Sequence, residues 1–406
     1  MLYSIILLIV VCDFLFGQYM SYRNRRLLSP VIPEKLKGIY DEDAYARQQA
    51  YQKENSRFGL YSGLFSFSVT LIALVFGLFG WLDIFLRRWI NDPLLLTLAF
   101  LGIVYFISEI MSIPFSYYAT FVIEEKFGFN RSSRRTFWFD LLKGLLLSVL
   151  LGGGILAIIV WLAGNIGGLW WLYAWGVVTL FSIVMTFFYS DIIVPLFNTQ
   201  KPLESGELRD AIEDFARKAG FGLKDIYVMD ASKRSSKANA YFTGFGGKKR
   251  IVLYDTLLKD LSTEEVVAVL AHETGHYKKK HVVKNVAVSV LYTVAMLFIL
   301  SRFLYSQSLA VALGGTEPSF QLGIIAFSVL FTPISLALGV LTNISSRKDE
   351  YQADAFAAGF GLSEALVSGL KKLSVKSLSN LNPDKWYVFF YYSHPTLLQR
   401  AERLAK

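Results

Sequence analysis

Two of the four histidines in this 406-residue chain flank a glutamate in the segment A-H-E-T-G-H-Y, residues 271–277. On a helix, His272 and His276 lie four residues apart on one face, so that both imidazoles can bind a single metal ion. Glu273 is then placed beside the metal, where it can act as a general base on a water molecule. The H-E-x-x-H pattern is typical of zinc peptidases. The competing interpretation is a polar helix surface that carries two histidines by chance.

A catalytic zinc ion needs a third protein ligand besides the two imidazoles and keeps one position open for water. His281 is a poor candidate, because on a continuous helix it lies about half a turn away from His272. We expect His281 to be an interfacial residue, beside solvated or headgroup-facing lysines at 278–280. The single cysteine, Cys12, lies in an apolar run and leaves carboxylates to complete the site.

The acidic candidates lie in the segment S-R-K-D-E-Y-Q-A-D-A, residues 346–355. Glu350 and Asp354 are four residues apart and share a helix face, which suits one carboxylate on the metal and one that orients an imidazole. Spacing alone does not choose among Asp349, Glu350 and Asp354. A charged helix face that emerges from a membrane would produce the same pattern.

Composition indicates a polytopic membrane protein. Hydrophobic residues make up 54% of the chain and charged residues only 18%, whereas soluble domains carry about a quarter charged residues. The net charge of +9 could indicate nucleic-acid binding. However, the basic residues cluster in short loops beside apolar runs, as the positive-inside rule describes. We therefore expect a lipid bilayer as partner and no nucleic acid.

Seven apolar runs are long enough to cross a bilayer, which takes about 20 residues each. They extend over residues 2–19, 59–86, 94–123, 141–163, 170–194, 286–304 and 320–342. The first run has no basic residue before it and no cleavage site after it, so we expect it to remain in the membrane. Asp13, Glu109 and Asp191 lie within these runs and could line a polar cavity between helices, although Asp191 could instead be interfacial.

The distribution of basic residues predicts the orientation of these spans. Lysine and arginine are concentrated at residues 21–57, 126–135 and 198–284 and in the tail after residue 343. The positive-inside rule places these segments in the cytoplasm and the N-terminus outside. The H-E-x-x-H motif and the C-terminus are then cytoplasmic. The membrane would be the inner membrane in a bacterium or the endoplasmic reticulum in a eukaryote.

The polar segment between the fifth and sixth runs predicts a small α+β unit. It contains an amphipathic helix at 207–219, a strand at 224–229, and a hairpin of 239–245 with 250–254 around a turn at 246–249. A helix that opens at Ser262 carries the motif. Two or three further helices follow the seventh run.

Taken in order, the motif residues resemble the type I CAAX prenyl protease family, which are integral-membrane zinc metallopeptidases of the gluzincin type. H-E-T-G-H is followed, after one hairpin of spans, by S-R-x-x-E-Y-Q-A-D-A-F-A. Other segments match the family in the same order: E-E-K-F-G-F-N at 124–130, P-L-F-N at 195–198, A-N-A-Y-F at 238–242 and S-H-P at 393–395. The chain is shorter than the eukaryotic members we compare it with, which suggests a bacterial homologue.

The resemblance implies roles for the residues around the metal. His272, His276 and Glu350 would bind one Zn²⁺ per chain. Glu273 would act as general base on the attacking water and then pass the proton to the leaving amine. Asp354 would hold a ligand histidine from behind.

It also implies roles in binding the substrate and the transition state. His394, helped by Arg400, would donate to the oxyanion, whereas the residues alone allow His394 to cap a helix that begins at Pro395. Asn239, Ala240 and Tyr241 would form an edge strand that pairs with an extended substrate, and the alternative is an ordinary hairpin strand.

The expected fold class is mainly α. The resemblance implies seven transmembrane helices that enclose a chamber, plus a zincin-like α+β catalytic domain with a small sheet. We divide the chain into a five-helix membrane region, residues 1–195, and a metallopeptidase domain, residues 196–406, that contains spans six and seven. The sequence does not indicate the oligomeric state.

The implied activity is hydrolysis of peptide bonds near the C-terminus of prenylated CAAX-type proteins or similar membrane-associated peptides. One alternative is a membrane quality-control protease like HtpX, which we expect to have about four spans. The alternative from another class is a membrane transporter whose histidine pair is incidental.

Overall fold

The computed structural model describes residues 1–243 and 249–405. Within them, seven helices are long and apolar enough to cross a membrane, as the sequence predicted. The N-terminal helices are α1 (Leu2–Arg25), α2 (Glu42–Val75), α3 (Leu78–Arg87), α4 (Pro93–Tyr118), α5 (Arg134–Leu147), α6 (Gly154–Asn165) and α7 (Trp170–Ile192). One turn of π-helix extends α4 to Glu124, and another, Ser148–Gly153, joins α5 to α6 within one span.

The C-terminal half combines a polar α+β unit with apolar helices. Its elements are β1 (Gln200–Pro202), α8 (Glu207–Lys218), β2 (Leu223–Met229), β3 (Ala240–Thr243), β4 (Lys249–Tyr254), α9 (Asp255–Asp260), α10 (Thr263–Lys278), α11 (His281–Phe303), α12 (Gln307–Ala312), α13 (Phe320–Ala358), α14 (Ser363–Lys376), α15 (Lys385–Tyr391) and α16 (Leu397–Leu404). The motif lies on α10, and the acidic candidates lie on α13.

Most helix ends differ by a few residues from the predicted runs, and two of the runs differ more. The run at 59–86 is divided between α2 and α3, because Gly77 adopts a left-handed φ of 62° that glycine tolerates without a steric penalty. The run at 320–342 is only the first part of α13, which continues to Ala358. This extension matters for the site, because Glu350 and Asp354 lie on it.

The four strands form one mixed sheet in the order β1-β2-β4-β3. β2 and β4 are parallel, and β3 pairs with β4 in antiparallel register, with Tyr241 opposite Val252. The structure confirms the predicted strand and hairpin and adds the short strand β1. The predicted turn falls partly on residues 246–248, which lie outside the described residues. β3 is therefore an edge strand of the sheet.

Helix α10 is fixed at its N-terminus before it reaches the motif. Ser262 and Glu265 form a reciprocal capping box, in which each side chain bonds the backbone N–H of the other residue. Glu265 also accepts hydrogen bonds from Ser368 and Lys372 of α14, at 2.7 and 2.8 Å. Burial raises the pKa of Glu265, but its hydrogen bonds lower the pKa by more, so that the net pKa lies below its ordinary value. Glu265 therefore ties α10 to α14.

Ion pairs connect the α+β unit to the membrane helices. Asp191, at the end of α7, accepts a hydrogen bond from Arg250 of β4 at 2.6 Å, which agrees with an interfacial position. Arg234 donates two hydrogen bonds to Asp140 of α5, at 2.7 and 2.9 Å. Among the described residues, neither Asp13 nor Glu109 has an ion-pair partner.

Candidate metal centre and active site

Three side chains from two helices converge at one point. Nε2 of His272 and Nε2 of His276 lie 3.1 Å apart. Glu350 of α13 brings Oε1 to 3.2 Å from His276 Nε2 and Oε2 to 3.5 Å from His272 Nε2. One ligand atom from each residue lies within 4.8 Å of the other two. Spacing alone had left three carboxylates as candidates, and the structure brings Glu350 to the two imidazoles.

The residues of this cluster fit a tetrahedral metal ion. Ligands about 2.0 Å from such an ion are separated from one another by about 3.3 Å, close to the three distances observed. Glu350 Oε2 is buried and makes no hydrogen bond among the described residues. Nε2 of His272 and Nη1 of Arg400 lie 3.5 and 3.6 Å from it. A buried carboxylate oxygen without a partner is unfavourable unless a cation compensates it. His272, His276 and Glu350 can therefore hold a metal ion together.

Asp354 and Arg400 support the cluster from behind. Asp354 Oδ1 lies 2.8 Å from His272 Nδ1, which leaves Nε2 of that imidazole free for a metal. Arg400 donates to both oxygens of Asp354, at 2.9 and 2.6 Å, and is only 8% exposed. Its Nη1 lies 3.6 Å from Glu350. Its Nη2 also lies 3.2 Å from Nδ1 of His272. The guanidinium therefore holds Asp354 through two nitrogens and lies beside both His272 and Glu350.

The surroundings of α10 shift the pKa values of two motif residues. Burial raises the pKa of Glu273 above its ordinary value, although the nearby imidazoles act in the opposite direction. Burial lowers the pKa of His272, but the hydrogen bonds with Asp354 and Glu350 raise it more, so that the net shift is upward. A glutamate with a raised pKa is a better proton acceptor at neutral pH than an ordinary one.

His394 lies at the open side of the cluster. Its Nε2 is 3.4 Å from Glu350 Oε1, and its Nδ1 is 2.9 Å from the hydroxyl of Ser393. Its side chain is 64% exposed, so it can reach a bound molecule. The alternative role for His394 as a helix cap is wrong, because α16 begins at Leu397 and Thr396 caps it.

Arg347, which is not among the predicted site residues, holds the segment before His394. Its guanidinium donates to the carbonyl oxygens of Tyr392, at 2.5 Å, and Val388, at 3.4 Å. Arg347 precedes Glu350 by one helical turn on α13, so one helix presents both residues to the site. The i, i+3 spacing of a cation and the candidate ligand was the available signal.

Gly275 allows α10 and α13 to approach closely enough to form the site. A Cβ at this position would lie 2.9 Å from Ala353 Cα and 3.0 Å from Phe356 Cβ, closer than an ordinary contact of 3.5–4.0 Å between carbon atoms. Within the motif, this glycine therefore serves helix packing.

His281, which we expected at the membrane interface, is the first residue of the apolar helix α11 and is buried against His276. His281 is 4% exposed, and its Nδ1 lies 3.0 Å from Nδ1 of His276. The expectation assumed one continuous helix, whereas α10 ends at Lys278 and α11 begins at His281. The change in helix direction brings His281 back to His276.

The predicted substrate residues lie on and before the edge strand β3. The Asn239 carbonyl accepts from Tyr254 N–H of β4, at 3.1 Å. Because alternate residues of an antiparallel pair bond to the partner, the Ala240 carbonyl faces the open edge. The N–H of Ala240 donates to Asn239 Oδ1 at 2.8 Å. Ala240 packs in the same hydrophobic cluster as Ala268 and Ala271 of α10, so β3 runs beside the motif helix.

Comparisons with known proteins agree with this arrangement. A family model described as "CAAX prenyl protease N-terminal, five membrane helices" matches residues 21–199, and the model of peptidase family M48 matches residues 202–406. The fold superposes on the crystal structure of Ste24p from S. mikatae with a TM-score of 0.94. The two chains are 32% identical, and the match covers 100% of this chain and 99% of that one.

Curated relatives match over almost the whole chain. A CAAX prenyl protease 1 homolog from Oryza sativa is 37% identical over 98% of this chain and 96% of its own length. CAAX prenyl protease 1 of Saccharomyces cerevisiae is 33% identical over 97% and 93%, respectively, and the Homo sapiens homolog is 31% identical over 99% and 95%. These relatives are eukaryotic, and the matches cover 93–96% of their own lengths. The chain belongs to peptidase family M48, as an integral membrane metallopeptidase with the CAAX prenyl protease N-terminal region.

Proposed function

We propose that this chain is a zinc-dependent membrane endopeptidase that hydrolyses peptide bonds near the C-terminus of prenylated CAAX-type proteins or similar membrane-associated peptides. The observation that carries the proposal is the buried cluster of His272, His276 and Glu350. It lies in a chain that matches proteins named CAAX prenyl protease 1 over almost its whole length. Two imidazoles and a carboxylate at tetrahedral separations are a donor set that suits Zn²⁺.

In this proposal the three ligands hold the ion and Glu273 moves the proton. A bound zinc ion supplies a Lewis acid that makes water more acidic and polarises the scissile carbonyl. Glu273 lies next to His272 on α10 and has a raised pKa, so it accepts a proton from the attacking water. The same carboxyl group then donates this proton to the amine nitrogen of the leaving peptide.

The remaining site residues stabilise the oxyanion or position other side chains of the site. His394, which is exposed and beside Glu350, donates to the oxyanion that forms when water attacks the carbonyl. Arg400 holds Asp354, and Asp354 holds His272. Nη1 of Arg400, which does not bond Asp354, adds positive charge near the oxyanion. Arg347 holds the chain on which His394 is mounted.

The open edge of β3 is the proposed substrate-binding strand. An extended peptide that pairs with Asn239, Ala240 and Tyr241 would gain backbone hydrogen bonds without requiring a particular sequence. The membrane helices would enclose a chamber that keeps the peptide near the metal. Residues 1–195 form the membrane region in this division, and residues 196–406 form the peptidase domain.

We also propose that the catalytic site and the C-terminus face the cytoplasm and that the N-terminus lies outside. The support is the distribution of lysine and arginine among the loops. In a eukaryotic cell the corresponding membrane is the endoplasmic reticulum, and in a bacterium it is the inner membrane.

The proposed substrate class can be tested with one peptide in two forms. The full chain, purified in detergent, would be incubated with a farnesylated CAAX peptide and with the same peptide lacking the farnesyl group. Products would be identified by mass spectrometry, and zinc would be quantified by plasma mass spectrometry. We expect one zinc per chain and release of the C-terminal residues of the farnesylated peptide. Removal of zinc by a chelator should abolish cleavage, and added Zn²⁺ should restore it.

Each part of the proposal has its own contradicting result. Cleavage that survives complete metal removal would overturn the metallopeptidase mechanism. Zinc binding without cleavage of either CAAX peptide would overturn the substrate class. If the same protein then cleaved an unfolded membrane-protein fragment, quality-control proteolysis would replace CAAX processing as its function.

A further inference from the structure

A third histidine lies against the metal ligands, and the proposed function gives it no role. Nδ1 of His281 and Nδ1 of His276 are 3.0 Å apart, and the two rings meet edge to face with their centroids 5.0 Å apart. Two ring nitrogens at this distance form a hydrogen bond in which one donates and the other accepts. His281 is therefore bonded directly to a proposed ligand.

The metal site determines the direction of this hydrogen bond. Nε2 of His276 faces Glu350 at 3.2 Å and must be unprotonated to bind a metal, so the proton of the neutral ring is on Nδ1. His276 thus donates and His281 accepts. His281 then carries its own proton on Nε2, which lies 3.2 Å from Gln352 Oε1 and 3.6 Å from Asp349 Oδ1. In this arrangement every ring proton has an acceptor.

The far end of this hydrogen-bond chain is also fixed. Asp349 of α13 is 5% exposed and forms an ion pair with Lys284 of α11. Lys284 also donates to the hydroxyl of Ser345 at 3.0 Å. This chain of hydrogen bonds therefore links α10, α11 and α13, the three helices that meet at the site.

The backbone adopts an unfavourable conformation where it brings His281 to His276. Lys280, between α10 and α11, has φ 59° and ψ 31°. This left-handed conformation costs a residue with a Cβ about 1–2 kcal/mol. On an uninterrupted helix, His281 would lie about 140° around the axis from His276, and the two rings would not meet. Strain of this kind is typical of places where function requires a particular side-chain position.

We propose that His281 is a positioning residue for the metal ligand His276. It accepts the Nδ1 proton, selects the tautomer with a free Nε2, and holds the ring in the plane that points Nε2 at the metal. Asp354 does the same for His272 with a carboxylate, so the two ligand imidazoles are oriented by acceptors of different charge. The proposal rests on the metal-binding role proposed above for His276.

Two substitutions of His281 separate this role from general packing. In His281→Asn, the amide oxygen can occupy the place of the imidazole Nδ1 and still accept from His276. In His281→Gln, the amide group reaches the place of the imidazole Nε2, so that no acceptor remains beside Nδ1 of His276. His281→Ala removes both. The full-length variants would be compared with the wild type by chelator competition with Zn²⁺, by the visible spectrum of the Co²⁺ form, and by thermal unfolding of the metal-free protein.

We expect His281→Gln and His281→Ala to weaken zinc binding by about 10- to 100-fold, the range seen when a residue that orients a ligand is lost. His281→Asn should stay within about threefold of the wild type and keep a tetrahedral Co²⁺ spectrum. Wild-type affinity in all three variants would overturn the proposal. Equal losses of zinc affinity in His281→Asn and His281→Gln would also overturn it and indicate a packing role. A wild type that binds no metal would instead overturn the metal site.

Discussion

Substitution of Gly275 tests whether close contact between α10 and α13 makes the site. In Gly275→Ala the new Cβ would lie 2.9 Å from Ala353 Cα. An ordinary separation of at least 3.5 Å requires the helices to move apart by about 0.6 Å. His276 lies next to the substitution and Glu350 lies one turn before Ala353, so the ligands separate as well. Metal sites tolerate distance errors of only about 0.2 Å.

The same geometry predicts the size of each effect. Overpacking costs about 1–3 kcal/mol, and the higher helix propensity of alanine returns about 1 kcal/mol. The free energy of unfolding of the metal-free protein should therefore fall by about 2 kcal/mol at most, so the variant still folds. Its zinc affinity should fall by about 10- to 100-fold, as for other changes that displace a ligand.

A matched glycine on α14 provides the control. A Cβ at Gly369 would lie 3.5 Å from Glu265 Cβ and 3.8 Å from Leu261 Cδ1, which are ordinary contacts. Gly369→Ala should keep wild-type zinc affinity and gain up to about 1 kcal/mol in stability. Chelator competition and thermal unfolding would measure both variants. Wild-type zinc affinity and peptide cleavage in Gly275→Ala would refute the argument.

Three further outcomes follow from the site. Glu350→Ala should abolish stoichiometric zinc in the purified protein. The Asp349 carboxylate pairs with Lys284 instead, so Asp349→Ala should weaken zinc binding by about 10-fold or less. Equal losses of zinc would mean that Glu350 is not the ligand. Because the pKa of His272 is raised in the metal-free protein, its proton competes with zinc. Calorimetric titration should show the zinc dissociation constant rising as the pH falls from about 8 to 6, and a constant value would contradict this. Lys280→Gly should relieve about 1 kcal/mol of backbone strain and raise the unfolding temperature without changing cleavage; a lower unfolding temperature would count against strain at this residue.

The spans and the motif helix could be predicted from the sequence because hydropathy and local spacing determine them. The end of the seventh helix could not. Hydropathy falls after residue 342, but helical hydrogen bonding does not depend on hydropathy, and α13 continues to Ala358. The extension places Glu350 opposite the motif, which explains why a proposed ligand can follow the motif across a membrane hairpin.

His281 shows what local spacing could not predict. On one continuous helix His281 would lie about half a turn from His272. The chain instead leaves that helix at Lys280, and lysine rarely adopts a left-handed conformation. Neither glycine nor proline stands at the break between the two helices, so the sequence has no helix-breaking residue there. Similarly, the glycine of H-E-T-G-H gave no sign by itself that it faces Ala353, because the contact depends on a helix 78 residues away (353 − 275).

The most direct test of the central claim is Glu273→Gln in the full-length protein, with zinc content and cleavage of the farnesylated CAAX peptide measured on the same preparation. The substitution keeps the size of the side chain and leaves the three proposed ligands in place, but it removes the group that accepts a proton from water. We predict one zinc per chain, as in the wild type, and a loss of turnover of at least about 100-fold. Turnover close to that of the wild type would contradict the hydrolytic mechanism.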